Sequence, residues 1–199
     1  MIPVKLQPEP ALFDTKVRQK GLKWLEKQGL DPTQPAPEGL KVSNYWKHCL
    51  PDMLEAYKHI CAYVCVYIEE VTGFATVEHF APKSRRLDLA YEWKNYRLAC
   101  GLMNGNKSNF EDVLDPCKLK RGTFQLNPVN GAIVPNPKLN GVTKQKALET
   151  IERLKLDSAA CRRVRLRYFT KYMQGQITAD FVREVSPFVY LELKRQNLL

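Results

Sequence analysis

At 199 residues the chain is long enough to bury a sizeable hydrophobic core, and one domain, or a compact core with helical additions, is the expectation. Lys and Arg number 31 against 21 Asp and Glu, and the formal charge of +10 favours a polyanionic partner such as nucleic acid, although acidic lipid or protein would also be drawn to it. The opening MIPVKLQPEPALFD lacks the apolar run of about 7 to 15 residues that a secretory signal needs, and no stretch reaches the about 18 apolar residues of a membrane span, so a cytoplasmic protein with no membrane association is expected.

In chain order, residues 12 to 28 put Val17, Gly21, Trp24 and Leu25 on one helical face, with Asp14 placed to cap the start. DPTQPAPEG (31 to 39) is a loop by its prolines and glycine. From Ser43 the 3.6 period of Trp46, Leu50, Met53, Leu54, Tyr57 and Ile60 predicts a helix that Pro51 either kinks or restarts. The β-branched and aromatic run CAYVCVYI (61 to 68) and the run from Phe74 to Phe80 predict a hairpin turning at Glu69 to Gly73. AYEWKNYRLACGLMNGNKSNF is expected to lead into a helix. GTFQL and AIVP on either side of Asn130-Gly131 predict a second hairpin. Helices are expected over 143 to 155, with Ala147, Leu148, Ile151 and Leu154 inward, over 158 to 173 from a Ser158 cap, and in one final segment from Thr178.

The chemistry concentrates in Glu78-His79, Asn95, Asn104 and Lys107. His79, Asn95, Asn104 and Lys107 follow one another at spacings of sixteen, nine and three. That places a carboxylate and an imidazole at a strand end, and an amide and an amine one turn apart on a helix. Phosphodiester hydrolysis needs a base for the attacking water, a divalent cation to offset phosphorane charge and a cation near the leaving group. The residue types of this set match those needs. Lys83, Arg85 and Arg86, directly after the candidate base, are positioned to meet a nucleic-acid backbone.

The segments V-E-H-F-A-P-K-S, W-K-N-Y and C-G-L-M-N-G-N-K resemble the three elements of an HNH (ββα-metal) endonuclease motif over about 45 residues, and more loosely through V-L-D-P and P-F-V-Y-L-E. The longer pattern is similar to the PtuB-type nuclease subunits of Septu anti-phage defence systems and to related retron-associated proteins. The resemblance implies an α+β fold in which a ββα-metal core, a hairpin plus a helix, is embedded in a mostly helical domain with a second small hairpin. Its parts would be a helical extension (1 to 60), the HNH core (61 to 116) and a hairpin with C-terminal helices (117 to 199), packed as one compact domain. It further implies a bacterial endonuclease acting on DNA, with His79 as general base and Mg²⁺ or Mn²⁺ held by Glu78 and Asn104. Asn95 would position His79 or the loop behind it, and Lys107 would touch phosphate. The implied partners are an ABC/SMC-like (PtuA-type) ATPase subunit and, in the retron setting, a reverse transcriptase with its DNA.

Family members with a structural zinc hold it by two CxxC pairs, whereas here Val64 follows Cys61 and Met103 follows Cys100 at those positions. Half of each pair is missing, so no zinc is expected, and Val64 and Met103 are expected to pack as an apolar replacement. The six cysteines are expected to be reduced thiols. Each site residue has a plainer reading: His79 as a core histidine, Asn95 as a turn former, Asn106 as a rival to Asn104 that the spacing disfavours, and Asp115 as a helix end. His48 and His59 lack such company. Arg163, Arg167 and Lys171, four apart on one helical face, either track phosphates or form a solvated face. A phosphate loop at GNKS is disfavoured for want of its upstream glycine. The competing function is a nucleic-acid-binding or assembly subunit with a degenerate nuclease site.

Overall fold

In the computed structural model, which describes residues 1–199, the first helix begins as a π-helical turn, Asp14–Arg18, and continues as α1 (Gln19–Lys27). Asp14 does not cap it; its carboxylate accepts instead from Arg18 at 2.8 Å and Gln19 at 2.6 Å. The buried stripe Val17, Gly21 and Leu25 follows the predicted face. Gly21 is required there, because a Cβ would lie 2.2 Å from the Tyr91 ring. Pro51 starts a new helix rather than kinking one: a 3₁₀ segment, Tyr45–Cys49, gives way to α2 (Leu50–Ala56). This helix stops short of the expected Ile60, because Lys58 and His59 both adopt positive φ.

The first hairpin is not the predicted one. Strand β1 (Ala75–His79) pairs antiparallel with β2 (Tyr96–Cys100), in register Glu78 with Arg97 and His79 with Tyr96. Residues 61 to 68 form no strand; only an isolated bridge joins Ile60 to Tyr67, and Cys61 and Cys65 close a tight loop with Cys65 at φ +56°. That run is buried through Cys61, Ala62, Tyr63, Cys65 and Ile68 and half-buried at Val64, Val66 and Tyr67, and so largely buried a segment shows no period that separates strand from packed loop. The true partner strand was hidden because β2 abuts α3 (Gly101–Lys107) with no turn between them: Cys100 is still extended at ψ 155° and Gly101 is already helical. Strand, strand and helix therefore follow in the order 75–79, 96–100, 101–107.

The chain divides into two compact units assembled from non-contiguous segments. One comprises Leu6–His59 and Glu69–Glu111, and holds everything described above except the loop at 61 to 68. The other comprises Met1–Lys5, Ile60–Ile68 and Asp112–Leu199, so the segments expected as consecutive blocks, 1 to 60 and 61 to 116, each contribute to both.

Within the second unit, β3 (Phe124–Leu126) and β4 (Ile133–Pro135) form the predicted hairpin. Its connection is longer than a two-residue turn, and Gly131 sits in it at φ +69° against the Arg162 carbonyl. Helices α4 (Gly141–Arg153) and α5 (Ala159–Met173) follow; Ser158 caps α5 through Cys161 N, while Leu148 faces out rather than in. The last helical segment begins at Thr178 as expected, with the Thr178 side chain capping α6 (Ala179–Val185) through Phe181 N, but the segment is broken in two. Pro187 cannot donate to a continuing helix, so it opens α7 (Pro187–Arg195) after Ser186 leaves helical geometry at φ −150°, ψ 67°. The buried Arg165 donates to Gly131 O and Leu156 O, and Glu192 accepts from Leu126 N and from the Arg195 guanidinium, so these buried charged groups are satisfied. The whole is an α+β fold, mostly helical, with seven α-helices and two small antiparallel hairpins. No helix is long and apolar enough to cross a membrane.

Candidate active site

Alternation along β1 sends Thr76 and Glu78 to the face covered by α3, and Val77 and His79 to the other. Two rungs tie α3 to that first face. Asn104 Nδ2 donates to Thr76 Oγ1 at 3.1 Å, and Lys107 Nζ meets Glu78 Oε1 at 2.8 Å. Residues three apart on the helix thus match residues two apart on the strand. The Thr76 hydroxyl also donates to Ala99 O at 2.8 Å, and since its one proton is spent there it must accept from Asn104. The amide is oriented by this chemistry, nitrogen to the strand and Oδ1 away from it.

On the other face His79 is packed edge-to-face between Trp46, at 4.6 Å, and Tyr96, at 5.0 Å. Its Nε2 lies 2.9 Å from Ala90 O. A carbonyl only accepts, so Nε2 carries the proton and Nδ1 the lone pair. Burial, and then the nearby Lys83 ammonium, pull the imidazole down to about 3, so the ring is neutral.

Asn95 holds the loop that supplies the Ala90 carbonyl. Its Oδ1 accepts from Ala81 N at 2.8 Å, and Nδ2 donates to Ala81 O at 3.0 Å and Leu89 O at 3.1 Å. Tyr96 OH donates to the same Ala90 carbonyl at 2.8 Å. Of the two roles expected for Asn95, the geometry is that of the loop behind the histidine.

Both Glu78 and His79 reach one cleft of about 510 Å³, although they point to opposite faces. Strand β1 has a partner on one side only. The cleft is also lined by Trp46, Phe74, Thr76, Pro82, Lys83, Asn104, Gly105, Ser108 and Asn109. Neighbours on a strand point to opposite faces, and these two share a cleft at the unpaired edge of a strand that is ending. Asn104 lines it and Asn106 does not.

Lys107 departs from expectation. It is 0% exposed, and its ammonium is shared among Glu78 Oε1, His79 O at 2.9 Å and Phe80 O at 2.6 Å. An ammonium has three protons, and these acceptors take them, so the anticipated contact with phosphate is not available to it. It acts instead as the counter-charge that keeps Glu78, 1% exposed, inside the fold.

Arg85 and Arg86 are exposed and paired with acids, Glu111 at 2.9 Å and Asp88 at 2.6 Å. Lys83 is the member of that loop in the cleft, its ammonium 5.1 Å from the Trp46 ring centroid. Burial lowers its pKa, Glu78 raises it and Lys107 lowers it again. One carboxylate therefore faces two ammoniums, and the cleft suits an anion. Asp115 belongs to the other unit, where it closes a turn onto Cys117 N at 2.9 Å. Met103 is buried, and Val64 is half-buried.

A hard divalent ion takes oxygen ligands and retains several waters. Asn104 Oδ1 and the Glu78 carboxylate are oxygens of this kind along one cleft and are the groups that would hold Mg²⁺ or Mn²⁺, but Glu78 is buried and ion-paired with Lys107, and no group of three or more His, Cys, Asp or Glu side chains is gathered there. Sequence reasoning missed Phe74, Trp46 and Thr76 as parts of the site. Thr76 was detectable, two residues before Glu78 on the same strand face, but Trp46 gave no local signal. No protein-family model matches the chain, and no curated protein matches its sequence.

Proposed function

We propose that the protein is a metal-dependent endonuclease of the HNH class, hydrolysing phosphodiester bonds in DNA. The observation that carries this reading is the orientation of His79: Nε2–H is fixed on Ala90 O, and the basic Nδ1 is left for the cleft that Asn104 and Glu78 also line. His79 Nδ1 takes a proton from the attacking water. Burial is the larger cause of its low pKa and the Lys83 ammonium the next; a phosphate entering beside Lys83 offsets the second of these and so makes the imidazole a stronger base than it is in the empty cleft. Glu78 and Asn104 would hold Mg²⁺ or Mn²⁺, which when bound offsets charge on the phosphate oxygens. Asn95 is a positioning residue acting through the 81 to 90 loop. Lys83 binds phosphate, and Lys107 holds Glu78 in place.

The resemblance of the three motif segments supports a setting in the bacterial cytoplasm, as the effector of an anti-phage defence complex. The partner is an ABC/SMC-like ATPase subunit, joined in the retron form by a reverse transcriptase and its DNA. A second reading, a binding or assembly subunit whose nuclease site no longer cuts, draws on the same ion pair, since Lys107 neutralises the carboxylate a metal would need.

Incubation of supercoiled plasmid with wild type and His79→Ala, in Mg²⁺ or Mn²⁺, separates the two. The expected outcome is nicking by wild type, reduced about 10²- to 10⁴-fold in the variant with binding retained. Equal activity in both proteins removes the proposed base, and absence of cutting by wild type favours the binding subunit.

A further inference from the structure

Phe74 immediately precedes β1, and 74% of it is exposed. Its carbonyl accepts from Gly101 N at 2.7 Å, and its ring rests on Gly101, where a Cβ would come within 2.5 Å of it. The ring meets no other ring and no cation of the protein, yet it lines the cleft. The other aromatic wall differs. Trp46 is occupied by His79 at its edge, Lys83 over its ring and Tyr91 beside it. One aromatic is thus built into the site, and the other stands open, seated on the one residue type that lets a ring lie against backbone.

An open π-face at the rim of a cleft with a lysine inside it is the arrangement that takes up a nucleobase while its phosphate goes to the cation. The cleft, about 510 Å³, has room for one nucleotide. Bases within a duplex have both faces covered by their neighbours and offer none to Phe74. We infer that Phe74 is a stacking platform for an unpaired nucleobase, and that the site therefore takes single-stranded or locally unpaired nucleic acid in preference to intact duplex. This rests on the nuclease reading for the identity of the ligand, and it names the substrate class which that reading leaves open.

The test is fluorescence anisotropy in EDTA with labelled 20-mers: single-stranded DNA and RNA, the corresponding DNA duplex, and an abasic strand of the same length. Wild type, Phe74→Ala and Phe74→Trp are compared, the tryptophan variant keeping the stacking face. Loss of one base stack is expected to weaken single-strand binding about 5- to 100-fold in Phe74→Ala, with Phe74→Trp near wild type. The abasic strand should bind wild type as weakly as the intact strand binds Phe74→Ala, and duplex binding should not change. Unaltered single-strand binding by Phe74→Ala, or an equal loss on duplex, overturns the inference, as does failure of wild type to bind any of the strands. Cleavage by wild type in Mg²⁺ reports on the nuclease reading separately. Cutting with no effect of Phe74 removes the platform alone, whereas Phe74-dependent binding without cutting removes the nuclease alone.

Discussion

Lys107 and Glu78 form a buried ion pair whose worth depends on both partners being present. Removing one leaves the other charged in a low-dielectric interior, at a cost of about 3 to 5 kcal/mol, while replacing both with neutral groups costs far less. Lys107→Met should therefore lower the urea midpoint sharply, and adding Glu78→Gln should recover most of the loss; equal midpoints for the single and double variants would show that the pair is not coupled. His79 gives the pH counterpart. Its folded-state pKa of about 3 lies below the ordinary 6.5, so the neutral ring contributes fully above about pH 6.5 and that contribution fades as pH falls toward 3. The stability advantage of wild type over His79→Gln should narrow from pH 7 to pH 4 in urea titrations. A gap that stays constant or widens contradicts the depressed pKa. At this scale Glu78, His79, Asn95 and Asn104 were all legible from residue type and spacing, but the role of Lys107 was not. A lysine three residues after the amide reads as a phosphate contact until the strand it lies on is known.

Helix α1 illustrates how packing reverses a local preference. In an isolated helix, Gly21→Ala would gain about 1 kcal/mol. Here the added methyl meets the Tyr91 ring, whose hydroxyl is anchored on Ser43 O at 2.8 Å, so the ring cannot easily withdraw. Overpacking of about 1 to 3 kcal/mol outweighs the propensity, and thermal unfolding of Gly21→Ala should occur several degrees below wild type. A raised midpoint would mean that Tyr91 moves freely. Among the elements, α1, the 124–135 hairpin, the Ser158 cap and the helix start at Thr178 followed from pattern and turn chemistry. The first hairpin did not. CAYVCVYI has strand composition but is largely buried with no two-residue alternation, and YRLAC lies without a break against a helix, so neither apolar run revealed its state.

At the scale of the molecule, many surface cations are spent on acids: Arg85, Arg86, Arg153, Arg162, Arg183 and Arg195 each have a carboxylate partner. Arg163 and Arg167, one turn apart on the outer face of α5, have none. If the net charge of +10 serves nucleic-acid binding, reversing these two should weaken DNA binding and make the slope of log affinity against log salt shallower by about 2. An unchanged slope would place the phosphates elsewhere. The sequence by itself determined the mixed fold class and the absence of membrane-spanning helices, and singled out the side chains proposed to carry the chemistry, because composition, period and turn residues are local properties. Only the tertiary structure decided which strand pairs with β1, which nitrogen of His79 is left basic, and that Lys107 is buried while Phe74 stands open. The last three depend on what a distant segment presents, the Ala90 carbonyl, the Glu78 carboxylate or the bare backbone of Gly101, and no local pattern encodes that.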